Sequence, residues 1–415
     1  MRIGFFTDTY LPVANGVCYV IEILRKDLEA AGHEVWVFAP KDFRWHLPKE
    51  ERVIRYNGVS GLFYSDQFNS LFWPPKQLKQ VDKLNLDAIV AFTPSLIGGF
   101  GAYCSVRLGI PYIIQYGTDL EAYAELYRPT AIGGIAGGMI LGPYFTRMSY
   151  KDRLSYYRGI FFRKDKDLSY YSYVTRHLLR PMHERSAAVI ATSDKIAGKL
   201  KRWPAQQNVV TIPTGVDPLP KDNRFQAQFA KKHGLGPKDE IILYAGRLSI
   251  EKNLDMLIEA FEHLAAARPN AKLLLVGDFQ YRRSLEAEVK KNAHGQRVIF
   301  TGQLKRDELG SVYGLATLFA FPSVTDCQAL VLNEAALAGL PLVWCDNDSL
   351  NPVLIDGKTG QRAKNDAQDF AAVLESLVAD PALLKKYGQA AKTEAKKYSE
   401  VGQTKRLAEF LQTLV

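Results

Sequence analysis

No apolar run in this sequence approaches the roughly twenty residues that a membrane-spanning helix needs, so no segment reads as a transmembrane span. Cysteine is scarce. Cys18, Cys104, Cys327 and Cys345 lie far apart and form no CxxC pair. That excludes a disulfide scaffold and a zinc ribbon, and suits buried or partly buried free thiols in a reducing cytoplasm. The seven histidines form no metal-ligand cluster, so no metal site is expected. The opening MRIGFFTDTY lacks the apolar core of a signal peptide and leads straight into a strand pattern, which predicts a cytoplasmic protein.

What is present is ordinary in bulk and uneven in detail. Apolar residues make up 47% and charged residues 23%, the balance of a soluble globular chain. At 415 residues the chain exceeds the size at which single cores stop growing, about 250–300 residues, and about two to three domains are expected. The net charge of +9 is concentrated: residues 147–185 hold ten Lys and Arg against four Asp and Glu. Such an excess suits an anionic lipid surface, a nucleic acid or a phosphorylated substrate, and does not choose among them.

Strand and helix patterns alternate along both halves. RIGFFTD, EVWVFAP, DAIVAFT, PYIIQYG and AAVIATS are short apolar runs of the kind that form buried parallel strands. IILYAGR, KLLLVGD, VIFTG, LFAFPS and PLVWC repeat the scheme. VCYVIEILRKDLEAAG reads as a helix stopped by Gly32. The Pro- and Gly-rich NVVTIPTGVDPLPKDN reads as the joint. The expected architecture is α/β: two doubly wound, Rossmann-like domains over 1–205 and 206–395, facing each other across a cleft, with a last helix over 396–415.

One stretch, 128–176, breaks the alternation. It holds five glycines within 133–142 and ten Tyr and Phe between 144 and 173, interleaved with Arg and Lys. Aromatic rings and cations together suit a membrane interface, where rings sit at headgroup level and Lys and Arg meet anionic lipid. The same mixture suits packing on the first domain, contact with a second copy of the chain in a homo-oligomer, or stacking on single-stranded nucleic acid.

Three places carry candidate chemistry, each at the carboxyl end of a predicted strand, where open α/β sheets bind ligands. In FFTDTYLPVANGV, Asn15-Gly16 stands between strand and helix; glycine there lets backbone N–H groups approach a phosphate, although Asn-Gly also simply makes turns. In YAGRLSIEKNLDMLIEAF, Arg247 ends a strand and Lys252 stands near a helix start, an arrangement suited to a diphosphate. In PSVTDCQALVLNEAALAGLP, Asp326 and Glu334 run from loop into helix; as a helix cap and a solvated surface residue they would be without function. The strings Asp165–Asp167 and Asp346–Asp348 read as solvated loop residues, not metal ligands.

These residues resemble a known family. FTDTYLPVANGV, RSAAVIATSDKIAGKL, VVTIPTGVD, GRLSIEKNLDMLIEAF, LLLVGD, VIFTGQL and TDCQALVLNEAALAGLPLV together look like a retaining glycosyltransferase of the GT-B fold, family 4, and within it the bacterial members that glycosylate lipids such as diacylglycerol. The resemblance implies that Glu334 holds the ribose and Asp326 the sugar hydroxyls. Backbone at Cys327, Gln328, Ala329 and Leu330 would approach the donor, and Asn15, Gly16, Arg247 and Lys252 its diphosphate. Arg247, Lys252 and Asp326 are the expected catalytic residues. Thr9, Tyr10, Gly117 and Asp119 are expected on the acceptor side. The donor implied is a nucleotide sugar, a UDP-hexose, with no cofactor or metal. The acceptor implied is a membrane lipid or glycolipid at the inner face of the cell membrane, with an anionic membrane surface and no nucleic acid as partner. The last helix is expected to pack back on the first domain.

The chain departs from the family at four positions. Asp326 stands where Glu is usual, Ala329 where Gly is usual, and Gly117 and Phe92 where histidines are common. The nucleotide grip therefore reads as intact and the sugar pocket as altered. An active transferase is one reading. A non-catalytic GT-B protein that binds a glycolipid or partners an active enzyme is a second, and other GT-B-like chemistry such as a sugar-nucleotide epimerase or phosphorylase is a third.

Overall fold

The computed structural model describes residues 1–13, 15–42, 45–60, 68–70, 74–127, 142–162, 168–203, 208–345 and 350–415. Asp165, Asp167, Asp346, Asp348 and the glycines at 133–138 lie outside these residues. The chain divides into two compact units, one comprising Met1–Thr214 with Glu400–Val415, the other Gly215–Ser399.

The first unit is built on an eight-stranded sheet. Its strands are β1 (Arg2–Phe6), β2 (Glu34–Asp42), β3 (Val53–Ser60), β4 (Phe68–Ser70), β5 (Ala88–Ala91), β6 (Tyr112–Tyr116), β7 (Ala188–Ala191) and β8 (Val209–Thr211). They lie in the order β4-β3-β2-β1-β5-β6-β7-β8, parallel except for the β3–β4 pair. β1 and β5 are neighbours and the chain winds outward from them on both sides, so the topological switch point lies between them. The helix Gly16–Ala30 buries Cys18, Ile21, Leu24 and Leu28, a 3–4-residue stripe, on one face of the sheet. The C-terminal helix Glu400–Gln412 packs on that helix, with Tyr19 donating to Glu400 at 2.9 Å and Thr404 to Asp27 at 3.2 Å.

The second unit repeats the design with six parallel strands. They are β9 (Glu240–Ala245), β10 (Ala271–Val276), β11 (Val298–Gly302), β12 (Leu318–Phe321), β13 (Leu342–Cys345) and β14 (Gly360–Ala363), ordered β11-β10-β9-β12-β13-β14. Here the switch point falls between β9 and β12. The loops that leave these two strands contain GRLSIEK and PSVTDCQA. Glycine is required where the loops after β9 and β10 meet. Gly277 has φ +138°, and a Cβ on it would sit 1.9 Å from the carbonyl oxygen of Gly246.

The aromatic-basic stretch, as far as it is described, has a helical turn at 142–145 and then the helices Tyr150–Phe161 and Tyr170–Arg185. Tyr156, Ile160, Tyr173, Val174 and Leu178 make a small core between them. Tyr150, Leu154, Phe161, Phe162 and Tyr170 face solvent. The aromatics thus divide between packing and exposure. No helix among the described residues is long and apolar enough to cross a membrane.

Candidate active site

Around the switch point of the second unit, the structure brings together three of the expected residues. β9 ends at Ala245, and after Arg247 the chain makes a single 3-10 turn, Ile250–Lys252, before Asn253 takes a left-handed conformation and the helix Leu254–Ala267 begins. The turn brings the Lys252 ammonium to 2.6 Å from Oδ1 of Asp326, on the loop after β12. Ser323 shares its one hydroxyl proton between the other oxygen of Asp326 and, at 3.2 Å, the Glu251 carbonyl, to which Thr325 also donates at 3.2 Å. The two strand-end loops are therefore tied to each other by an ion pair and by backbone contacts. Asp326 does not cap the following helix: Ala329 occupies that place, left-handed at φ 55°.

Arg247 lies 3.4 Å from the buried carboxylate of Glu251 and places its guanidinium 5.2 Å from the centre of the Phe279 ring. Below them, the Tyr244 hydroxyl donates to the Arg247 carbonyl at 3.0 Å, and burial, then the charges of Asp326 and Glu251, raise its pKa well above the ordinary phenol value. It stays a neutral donor at physiological pH.

Glu334 is not a surface residue. It is 4% exposed on the helix Leu330–Ala338, and its two oxygens accept from Arg306 Nη1 at 2.5 Å and from the Tyr313 hydroxyl at 3.0 Å. Each acid of the pair thus has its own cation, Lys252 for Asp326 and Arg306 for Glu334. Cys327 and Gln328 are also buried.

The first unit places its expected residues differently. Asn15 caps the helix Gly16–Ala30, accepting from the Cys18 N–H at 3.0 Å and donating to Thr9 at 2.8 Å. Gly16 begins the helix, and a Cβ there would meet nothing within 4 Å. Of the four acceptor-side residues only Gly117 is exposed. Thr9 is buried against Asn15 and Cys18, and Tyr10 is fully buried with its hydroxyl between Glu22 and Arg25, which leaves neither side chain a surface for an acceptor. Asp119 is buried as the cap of the helix Leu120–Leu126 and pairs with Lys199 at 2.5 Å. Phe92 is a core residue, edge-on to Phe5.

At the switch point of this unit sits a residue that pattern reading passed over. The Asp8 carboxylate accepts from Thr93 Oγ1 at 2.6 Å and from the backbone N–H groups of Ile97 and Gly98 at 2.7 and 3.4 Å. Complete burial pushes its pKa up to about 6, while those hydrogen bonds pull the other way.

Residues 14–218 match the family model described as Glycosyltransferase Family 4, and residues 225–394 the model described as Glycosyl transferases group 1. The chain belongs to the GT-B glycosyltransferases. Over 387 residues it is 26% identical to the alpha-monoglucosyldiacylglycerol synthase of Streptococcus pneumoniae, covering 92% of this chain and 79% of that one. It is 24% identical to the synthase of the same name from Acholeplasma laidlawii, covering 87% and 84%. The crystal structure of the Anabaena HepE protein in complex with UDP superposes over 100% of both chains, with a TM-score of 0.72 and 17% identity, a likeness of fold.

In this glycosyltransferase the second unit presents charges that suit an anionic group. An ammonium paired with Asp326 and a guanidinium stand on strand-end loops, close to helix N-termini whose N–H groups favour anions. Lys252 has three donors and the Asp326 bond uses one of them. Sequence reasoning missed Arg306, Tyr313 and Ser323. Their partners lie 28, 21 and 3 residues away, and QLKRDELGSVY reads as an ordinary solvated helix.

Proposed function

We propose that this enzyme moves a hexose, with retention, from a nucleotide sugar to a membrane lipid or glycolipid, and that UDP-hexose is the donor. The observation that carries the donor half is the Lys252–Asp326 pair at the switch point of the second unit, with Arg247 on the same strand-end loop. Arg247 and Lys252 take the diphosphate and stabilise the charge it gains as the glycosidic bond breaks. Asp326 receives sugar hydroxyls and Glu334 the ribose. No cofactor is required by this chemistry.

The acceptor half is supported by the lipid acceptors named for the relatives and by a surface of the first unit. Tyr150, Leu154, Phe161 and Phe162 are 82%, 52%, 70% and 68% exposed beside the exposed Lys151, Arg153 and Arg158. Rings and aliphatic groups entering the headgroup layer while cations stay with anionic lipid would hold the enzyme peripherally at the inner face of the membrane. Replacing Lys151, Arg153 and Arg158 by Glu is expected to weaken binding to phosphatidylglycerol vesicles by about 10²-fold or more at low salt, read by sedimentation. Each cation near an anionic surface contributes about 1 kcal/mol, screened as salt rises. Undiminished sedimentation of that variant would remove the membrane assignment.

The function itself is tested by calorimetric titration with UDP, GDP and ADP, alone and as hexose conjugates, followed by transfer to diacylglycerol and glucosyl-diacylglycerol. Tight binding of UDP, strengthened by one hexose and followed by lipid glycosylation, is the expected result. Binding without turnover on any lipid acceptor would overturn the acceptor half, and no binding would overturn both.

A further inference from the structure

We propose that Asn351 is the positioning residue of the donor loop, holding the turn Asp326–Leu330 in the form that presents its backbone to the sugar. The inference rests on the reading of this loop as the nucleotide-sugar site.

The turn needs an outside restraint. Ala329 takes φ 55° and ψ 82°, a left-handed conformation that its Cβ disfavours and that its methyl side chain has no means of stabilising. Asn351 supplies the restraint. It is fully buried, and the two hydrogens of its Nδ2 serve the carbonyl oxygen of Gln328 at 2.8 Å and Oδ1 of Asn333 at 2.7 Å, with the carbonyl oxygen of Ala329 sharing one of them at 3.3 Å. Its own Oδ1 accepts from the Val353 N–H at 3.0 Å, so the amide is oriented from behind. One side chain thus gathers two successive carbonyls of the turn and ties them to Asn333, within the helix that the turn opens. Asn351 itself bonds to backbone and to Asn333, so it acts on the donor through the loop.

The test uses the full chain and, as probe, whichever of UDP-glucose, UDP-galactose and GDP-mannose the wild type binds most tightly, with the matching nucleoside diphosphate as reference. Asn351→Ala is expected to weaken binding of the sugar nucleotide about tenfold or more, the effect of two lost hydrogen bonds, and binding of the diphosphate alone by less than about threefold. Adding Ala329→Gly to Asn351→Ala is expected to recover much of that loss, because glycine adopts the left-handed turn without the restraint. Thermal unfolding establishes that each variant is folded. Asn351→Ser, which keeps a donor in less volume, serves if the alanine variant does not fold.

A role confined to stability would lower the melting temperature and leave the ratio of the two affinities unchanged. That result, or a double variant no better than the single one, overturns the inference. A Lys252→Ala variant separates the two levels. Wild-type binding of both ligands by that variant would refute the donor-site reading itself, whereas loss there with no selective loss at Asn351 would refute only the positioning role.

Discussion

Replacing Lys252 by alanine is expected to lower kcat/KM for sugar transfer by about 10²–10³-fold, the range found when a single preorganised electrostatic donor is removed from an active site. The ammonium is held 2.6 Å from Asp326 with little solvent on either side chain, so it pays no reorganisation when a diphosphate arrives. The alanine variant takes the Lys252 cation from the Asp326 carboxylate, a loss of about 1–2 kcal/mol in stability. The informative comparison is therefore with the double variant Lys252→Ala, Asp326→Ala. If the pair serves only to tie the two loops together, removing both partners restores nucleotide binding along with stability. If the ammonium meets the diphosphate, the double variant regains stability and still binds UDP weakly. The second outcome is expected, read by denaturant unfolding and by calorimetric titration with UDP on the same samples.

Much of the architecture was legible because parallel strands buried on both faces are written as unbroken apolar runs. IILYA, KLLLV and LVWC each became a strand near the middle of a sheet. The strands that escaped notice were β3, β4, β8 and β14. β4 and β14 are sheet edges, and β14 reads GQRA with only its two end residues buried. β3 carries Arg55, Asn57 and Gly58, and β8 is three residues long inside the Pro- and Gly-rich joint.

The site divides along the same physical line. Arg247, Lys252 and Asp326 stand at strand ends, and the order of the strands alone sends them to one switch point. Asn351 and Arg306 act through side chains that meet partners 18–28 residues away, and no spacing rule connects NPV or LKRDE to a helix on the far side of a strand. Tyr10 and Asp119 differ in the opposite sense. Each lies beside a strand end, as binding residues do, but their polar atoms are already used inside the first unit by Glu22, Arg25 and Lys199.

Glu334 is expected to show a loss of stability as well as a loss of binding, and the two are separable. Its carboxylate satisfies a guanidinium and a phenol, and burial together with the Glu334 charge raises the Tyr313 pKa well above the ordinary value, so the phenol remains a donor. Glu334→Ala removes the acceptor that Arg306 and Tyr313 share. Breaking one side of a largely buried ion pair costs about 3 kcal/mol, at the low end of the usual range because Arg306 is 35% exposed at its side chain. For a unit of this size that lowers the melting temperature by about 6–12 °C. Glu334→Gln keeps the volume and an acceptor oxygen, so its loss should be about half as large. Both variants remove the charge-assisted acceptor that a ribose diol would use, and nucleotide affinity should fall about tenfold or more in each. Calorimetric titration with UDP at a temperature where both variants remain folded decides the matter. A Gln variant with wild-type affinity would make Glu334 a structural partner of Arg306 and Tyr313, and would move the ribose contact elsewhere.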